Sequence, residues 1–574
     1  MPKISRRTFV NSTFATAVSA AALGGAYRLG QALETPLPLP PLLGGRREGA
    51  ATVYDLTAQR GTTEFLDGMH AETFGFNGNV LGPVVRMQRG DQVRLNVTNQ
   101  LGEPTTCHWH GLHVPPVADG GPHQIIEPEA TWQAAFEVKN EAATYWYHSH
   151  LMGRTGEQVY RGLAGMIIID DPELDGMGLP SRYGIDDFPL VVQDRRFSED
   201  GQLLYLQMGM DAMMGMMGNY LFVNGALTPT MKAPAQLVRL RLLNGSNARA
   251  YNFGFSDNRP FFVIGTDGGL LRAPVPRQRL AMTNGERYEI IVDLSQEAGN
   301  TLHLMSYVGV GNAGLPILDI AVDVGIRTES ARLPETLRDA PTLDATAVSR
   351  TRQFDLQMGM GMMGGMPQGQ MMGPGGGMGP GNGMEPGDGP GPGGGMPPSD
   401  GAPPFGGTPP GGGMPPGGDT PPFGGTPPGG GTPPGGGTPP GGGMPPGDAP
   451  GPGDGMPGPV VGGFTINGVS MDMDVINETV RLGATEEWRI SNYSPMAHPF
   501  HIHDVQFLVR SRNGAPPPLT ERGWKDTVQV RPGETVSILA RFSDYADPAH
   551  PYMYHCHILE HEDRGMMGQF VVVE

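Results

Sequence analysis

Two cysteines in 574 residues cannot build a disulfide framework, so the fold must rest on packed cores or on something other than sulfur–sulfur bonds. Positive charge is also scarce. Against 58 Asp and Glu stand 39 Lys and Arg, a net charge of −19. Such a chain repels nucleic acid and anionic membranes and suits cationic small partners. Long apolar runs are missing as well. The Ala-rich stretch that reaches about Ala26 is too short and too polar to span a bilayer, and nothing else resembles a span. Present in excess are 90 Gly, 58 Pro and 34 Met.

The chain is too long for one hydrophobic core and suits about three domains. Alternating runs at Gln92–Val97, Leu237–Leu242 and Glu534–Leu539 read as half-buried strands punctuated by Gly, Pro and Asn, the pattern of all-β Greek-key sandwiches. We place a first domain at 50–175, a second at 180–345 and a third at 460–574. Residues 355–459 differ. A methionine-dense opening, with Met358, Met360, Met362 and Met363 and on to Met384, gives way to Pro-Gly repeats. That composition cannot bury a core and reads as a disordered linker before the third domain. Residues 1–30 read as an address. Ser5-Arg6-Arg7-Thr8-Phe9-Val10 ahead of the Ala-rich stretch resembles a twin-arginine signal, which implies the twin-arginine export machinery and a periplasmic or otherwise exported protein.

Histidine is the informative residue. Ten of the fifteen lie in four clusters: His108 and His110; His148 and His150; His498, His501 and His503; His555, His557 and His561. Four times the pattern is His-X-His, which on a strand puts both imidazoles on one face. The same alternation turns Cys556 away from His555 and His557, so one segment serves two metal centres. A thiolate, imidazoles and a weak thioether make a blue-copper electron-transfer site. Cys556, His561 and Met566 supply three such ligands, and His498 is the candidate for the fourth. Eight imidazoles in four pairs remain, the number that a three-copper cluster takes.

The chain repeats itself here. Tyr145-Trp-Tyr-His-Ser-His-Leu151 mirrors Tyr552-Met-Tyr-His-Cys-His-Ile558, and Arg161–Ile169 mirrors Arg564–Val572. Ser149 stands in place of Cys556 and Leu163 in place of Met566, so one blue site is expected, and the two outer domains must touch across the shared cluster. The middle domain has none of these histidines and is left to space and clamp the others. Cys107 reads as a small buried hydrophobe.

On the motifs His108-Trp-His-Gly111, His148-Ser-His150, His498-Pro-Phe-His-Ile-His503 and His555–Met566, the chain resembles the three-domain bacterial multicopper oxidases. Its methionines point within them to the laccase-like periplasmic cuprous oxidases of copper tolerance. The resemblance implies cupredoxin-like domains and four copper ions. Type 1 copper falls on His498, Cys556, His561 and, axially, Met566; type 2 on His108 and His501; the type 3 pair on His110, His148, His150, His503, His555 and His557. It implies four-electron reduction of dioxygen to water, with Asp119 and Glu562 as proton-carrying carboxylates. As electron donor it implies Cu(I), oxidised to Cu(II), with Met358 and Met496 at expected positions and Met360, Met362 and Met363 as further thioethers. Ser494 and His113 stand where that family has acids. The alternative donor is a phenol or aromatic amine, as in laccases, which need an accessible edge of a type 1 histidine. A further alternative is a non-enzymatic copper store or carrier. A monomer is expected, with no nucleic acid among its partners.

Overall fold

The computed structural model describes residues 35–174, 176–308, 314–326, 331–359 and 463–574. The proposed signal at 1–30 and Met360, Met362 and Met363 lie outside these residues. Among the described residues six sheets stack two by two around three apolar clusters, giving three cupredoxin-like Greek-key sandwiches. In the first, Leu95 and Val97 of strand Gln92–Gln100 meet Trp109, Tyr145 and Ile167 of the facing sheet. The middle one packs a seven-stranded sheet on a five-stranded one. In the third, Trp488 and Ile538 face Phe500, Tyr554 and Phe570. The three alternating runs read from the sequence all fall on strands or begin one residue before them: Gln92–Gln100, Leu237–Asn244 and Thr535–Arg541.

The linker boundary moves. Val348–Met358 is a strand that runs parallel to Thr485–Asn492 and antiparallel to Phe464–Ile466, with Met358 opposite Phe464. Asp355–Met358 therefore belong to the third sandwich. The insert leaves one strand of a sheet and returns on its neighbour, instead of joining two domains. Arg352, Phe354 and Leu356 are buried at period two, a signal that the adjoining methionine run hid.

The outer sandwiches are tied together directly. Helix Thr155–Arg161 of the first points its N-terminus at Asp563, whose carboxylate accepts from the Thr155 and Gly156 N–H groups at 2.9 and 2.8 Å. These N–H groups have no partner within the helix, so the third sandwich supplies one. Among the described residues no helix is long and apolar enough to cross a membrane.

Candidate metal centres

Strand register assembles the first centre. Phe500 pairs with Cys556 on neighbouring antiparallel strands, which brings His498 alongside. Cys556 Sγ lies 3.3 Å from His498 Nδ1 and 3.6 Å from His561 Nδ1, and the two nitrogens are 3.3 Å apart. Met566 is fully buried in the same apolar cluster, and its carbonyl accepts from the Cys556 N–H at 2.9 Å. The internal repeat keeps this register: the Ser149 N–H donates to the Leu163 carbonyl at 3.3 Å. The chemistry differs, since Ser149 Oγ donates to Gln158 at 2.6 Å. Burial pushes the Cys556 thiol far above its ordinary range, so a metal is needed to draw it into the thiolate form.

The second centre lies between the outer sandwiches. His108 sits opposite His148, and His501 opposite His555. Three all-histidine triads have ligand atoms within 4.8 Å of one another: His108, His110 and His501; His110, His148 and His557; His150, His503 and His555. In the last, His150 Nε2 and His503 Nε2 lie 3.2 and 3.3 Å from His555 Nε2. Hydrogen bonds on the far side of the rings fix the tautomers. Nδ1–H of His108, His148 and His501 donates to the carbonyls of Asp119, Ser149 and Asp526 at 2.9, 2.8 and 2.9 Å. Their Nε2 atoms then carry lone pairs and find no partner in a buried interior; both ring nitrogens of His557 are equally orphaned. His110 is reversed, with Nε2 at 3.0 Å from Asp526 Oδ1 and Nδ1 orphaned.

Buried, unpartnered lone pairs are costly unless a cation takes them, and imidazole suits copper. Burial also drives His108, His110, His148, His501, His503 and His557 well below the ordinary histidine pKa, the neutral state that a metal requires. The donor atoms present fit copper.

The two carboxylates expected from the sequence both touch the cluster's histidines. Asp119 is aimed by the turn Val117–Gly121. At Gly120, with φ +76°, a Cβ would meet the Cys107 carbonyl at 1.8 Å, so only glycine fits. Asp119 Oδ2 accepts from His503 Nδ1–H at 2.8 Å. Glu562 lies between Nδ1 of His150 and of His555, at 3.3 and 3.1 Å. Burial, with Asp504 nearby, raises Asp119 well above the usual carboxylate range. Burial pushes Glu562 up too, but His150 and His555 outweigh it and hold it at about 2. One carboxyl is thus disposed to keep a proton and the other to stay ionised.

Sequence reasoning missed Asp526 and Arg287. Asp526 accepts from His110 and His501, while Arg287 of the middle sandwich grips both its oxygens at 2.7 and 2.6 Å and donates to the Thr144 carbonyl at 3.0 Å. Beside it, buried Lys525 reaches Asp267 at 2.9 Å and Glu286 at 3.0 Å, both in the middle sandwich. Asn284 donates to the His557 carbonyl, and Gly285 leaves open a space where a Cβ would stand 3.0 Å from the His557 ring. The middle sandwich therefore shapes the cluster as well as spacing its neighbours. Its one trace in the sequence is the pair Lys525-Asp526 ahead of strand Thr527–Val530, which composition alone reads as a solvated turn.

His498 and His561 are both 0% exposed. His498 Nε2 lies 2.6 Å from Ser494 Oγ. His561 Nε2–H donates to the Met213 carbonyl at 2.9 Å, and Phe464 stacks on its ring at 4.2 Å. Met358 and Met496 pack on the cluster that holds Cys556 and Met566. His113 turns instead to Gln506 and Asp544, at 2.9 and 3.2 Å.

Multicopper oxidase family models match residues 57–174 and 453–574. A multicopper oxidase, mco, of Staphylococcus haemolyticus is 30% identical over 523 residues, 90% of this chain and 88% of that one. The cell division protein FtsP of Yersinia pestis is 32% identical over 99% of this chain and 98% of its own length. Among solved structures, the laccase-like multicopper oxidase CueO of a lignin-degrading Ochrobactrum species is 33% identical, with a TM-score of 0.71, covering 94% of this chain and 100% of that one. That protein has oxidase activity towards lignin model compounds. Sequence likeness along nearly the whole chain thus agrees with the two histidine-rich centres: the chain belongs to the multicopper oxidase family.

Proposed function

We propose that this protein is an exported oxidase that takes electrons from Cu(I), releases Cu(II) and so serves copper tolerance. In this reading His498, Cys556, His561 and Met566 hold a type 1 copper, and His108 and His501 a type 2 copper. His110, His148 and His557 hold one type 3 copper, and His150, His503 and His555 the other. When bound, these four ions supply one-electron uptake and the four-electron reduction of dioxygen to water. The chain's own work is positional. Carbonyls of Asp119, Ser149 and Asp526 hold the imidazole tautomers, and the Cys556 backbone joins directly to His555 and His557, linking the centres covalently. Asp119, which keeps a proton, and Glu562, which stays ionised and can accept one, pass protons next to His503 and His555.

The observation that carries the choice of donor is the cover over the first centre. A phenol needs an open imidazole edge, and here both edges are buried and hydrogen-bonded, to Ser494 and to Met213. A small cation held by thioethers at Met358 and Met496 needs no such opening, and thioethers select Cu(I). The test is oxygen uptake by the copper-loaded protein with low Cu(I) or with a simple phenol, corrected for spontaneous Cu(I) oxidation. Much higher kcat/KM for Cu(I) is expected. Efficient phenol turnover with little specific Cu(I) activity favours the second reading, a laccase-type oxidase, which the Ochrobactrum relative supports. Oxygen uptake with neither donor favours a role without turnover, such as a copper store or one akin to the FtsP relatives.

A further inference from the structure

One methionine group touches the first centre through its backbone, and its thioethers have no part in the site described so far. Six of the ten residues from 208 to 217 are methionine, in a loop of the middle sandwich. The loop lies on the turn that carries His561. The Met213 carbonyl takes the His561 Nε2 proton at 2.9 Å, and the Met216 N–H donates to buried Glu560 at 2.9 Å.

Its two ends converge on one ion pair. Arg196 binds Asp211 at 2.8 Å and donates to the Met217 carbonyl at 2.8 Å, while the Met208 N–H donates to Asp211 at 2.8 Å. Met208 and Met217 are thereby held near each other. Between these anchors Met208 and Met210 stand 56% and 57% exposed, and Met217 36%. Only Met69 joins these three as an exposed methionine among the described residues. Methionines clustered in solvent on a pinned loop add nothing to a core. They do present soft thioethers to solution beside a ligand of the first centre.

We propose that Met208, Met210 and Met217 form a Cu(I) site of the middle sandwich, distinct from the Met358 and Met496 side, that delivers electrons through the Met213 carbonyl to His561. The proposal rests on the cuprous reading above. Each Cu(I) gives up one electron and leaves as Cu(II), which thioethers hold less well. Dioxygen is the oxidant, and four such losses with four protons balance its conversion to two waters.

The test compares the intact copper-loaded protein with the variant Met208→Leu, Met210→Leu, Met217→Leu, the blue absorption serving as the fold control. Ag(I), a redox-silent stand-in for Cu(I), is titrated calorimetrically. The intact protein should show an uptake step that the variant lacks, and KM for Cu(I) should rise roughly tenfold or more in the variant. Equal Ag(I) uptake by the two proteins overturns the site, whatever donor the enzyme prefers. Lost Ag(I) uptake with an unchanged KM for Cu(I) overturns the electron delivery. A wild type that binds Ag(I) here yet prefers phenol overturns the cuprous reading and the delivery with it, while upholding the site.

Discussion

Single atoms decide the chemistry at the residue scale. The orphaned Nε2 of His108, His148 and His501, and Nδ1 of His110, are set by which carbonyl or carboxylate holds the other ring nitrogen. That these histidines and Cys556 come together was legible in the sequence, because His-X-His on a strand and a cysteine between two histidines leave few other readings. The ring atom each would offer was not legible, since it depends on contacts as distant in sequence as His110 with Asp526. Cys556→Ser should abolish the blue absorption and essentially all turnover; a blue, active variant contradicts the assignment. Asp119→Asn and Glu562→Gln should both keep the blue colour and slow oxygen consumption. Unchanged oxygen uptake in both variants removes their proton-carrying role.

Elements bring these residues together, and here the sequence was partly misleading. Strands were legible wherever hydrophobic period two ran undisturbed, as at Gln92–Gln100. Val348–Met358 was not, because its end merges into the methionine run. Since Met358 pairs with Phe464, residues 360–462 form an insertion between adjacent strands. Replacing them with a four-residue turn should keep the blue centre and leave stability unchanged or raised by up to about 3 kcal/mol through loop closure. A lower Tm with loss of colour contradicts that placement. The segment after His108–His110 gives a pH signature. Burial pulls His113 down, but Asp544 and Asp504 outweigh it and raise the imidazole above its ordinary value. A raised folded pKa adds stability in full below about pH 6.5, and this is lost as pH climbs through the folded value. Tm should therefore fall across that window, and Asp544→Asn should flatten the fall. An unaltered slope in the variant would show that the His113–Asp544 pair is not its source.

Across the whole molecule the three sandwiches meet at Lys525–Thr527, where buried ions from the middle sandwich hold the residues that hold the histidines. That the outer domains must touch was legible from their split set of histidines. That the middle one reaches the cluster was not, because isolated Arg and Asp residues carry no periodic signal. Arg287→Ala leaves Asp526 buried without its cation and should cost roughly 3–5 kcal/mol. Arg287→Gln should weaken the type 3 absorption while the blue band, whose proposed ligands all lie in the third sandwich, persists. Equal loss of both bands would instead mean general unfolding.

In the proposed function the two centres act together as one four-electron oxidase. The most direct measurement is the ratio of Cu(I) oxidised to dioxygen consumed by the copper-loaded protein, with peroxide assayed in the same vessel. Four Cu(I) per dioxygen and no peroxide are expected. Two Cu(I) per dioxygen with accumulating peroxide would contradict that function.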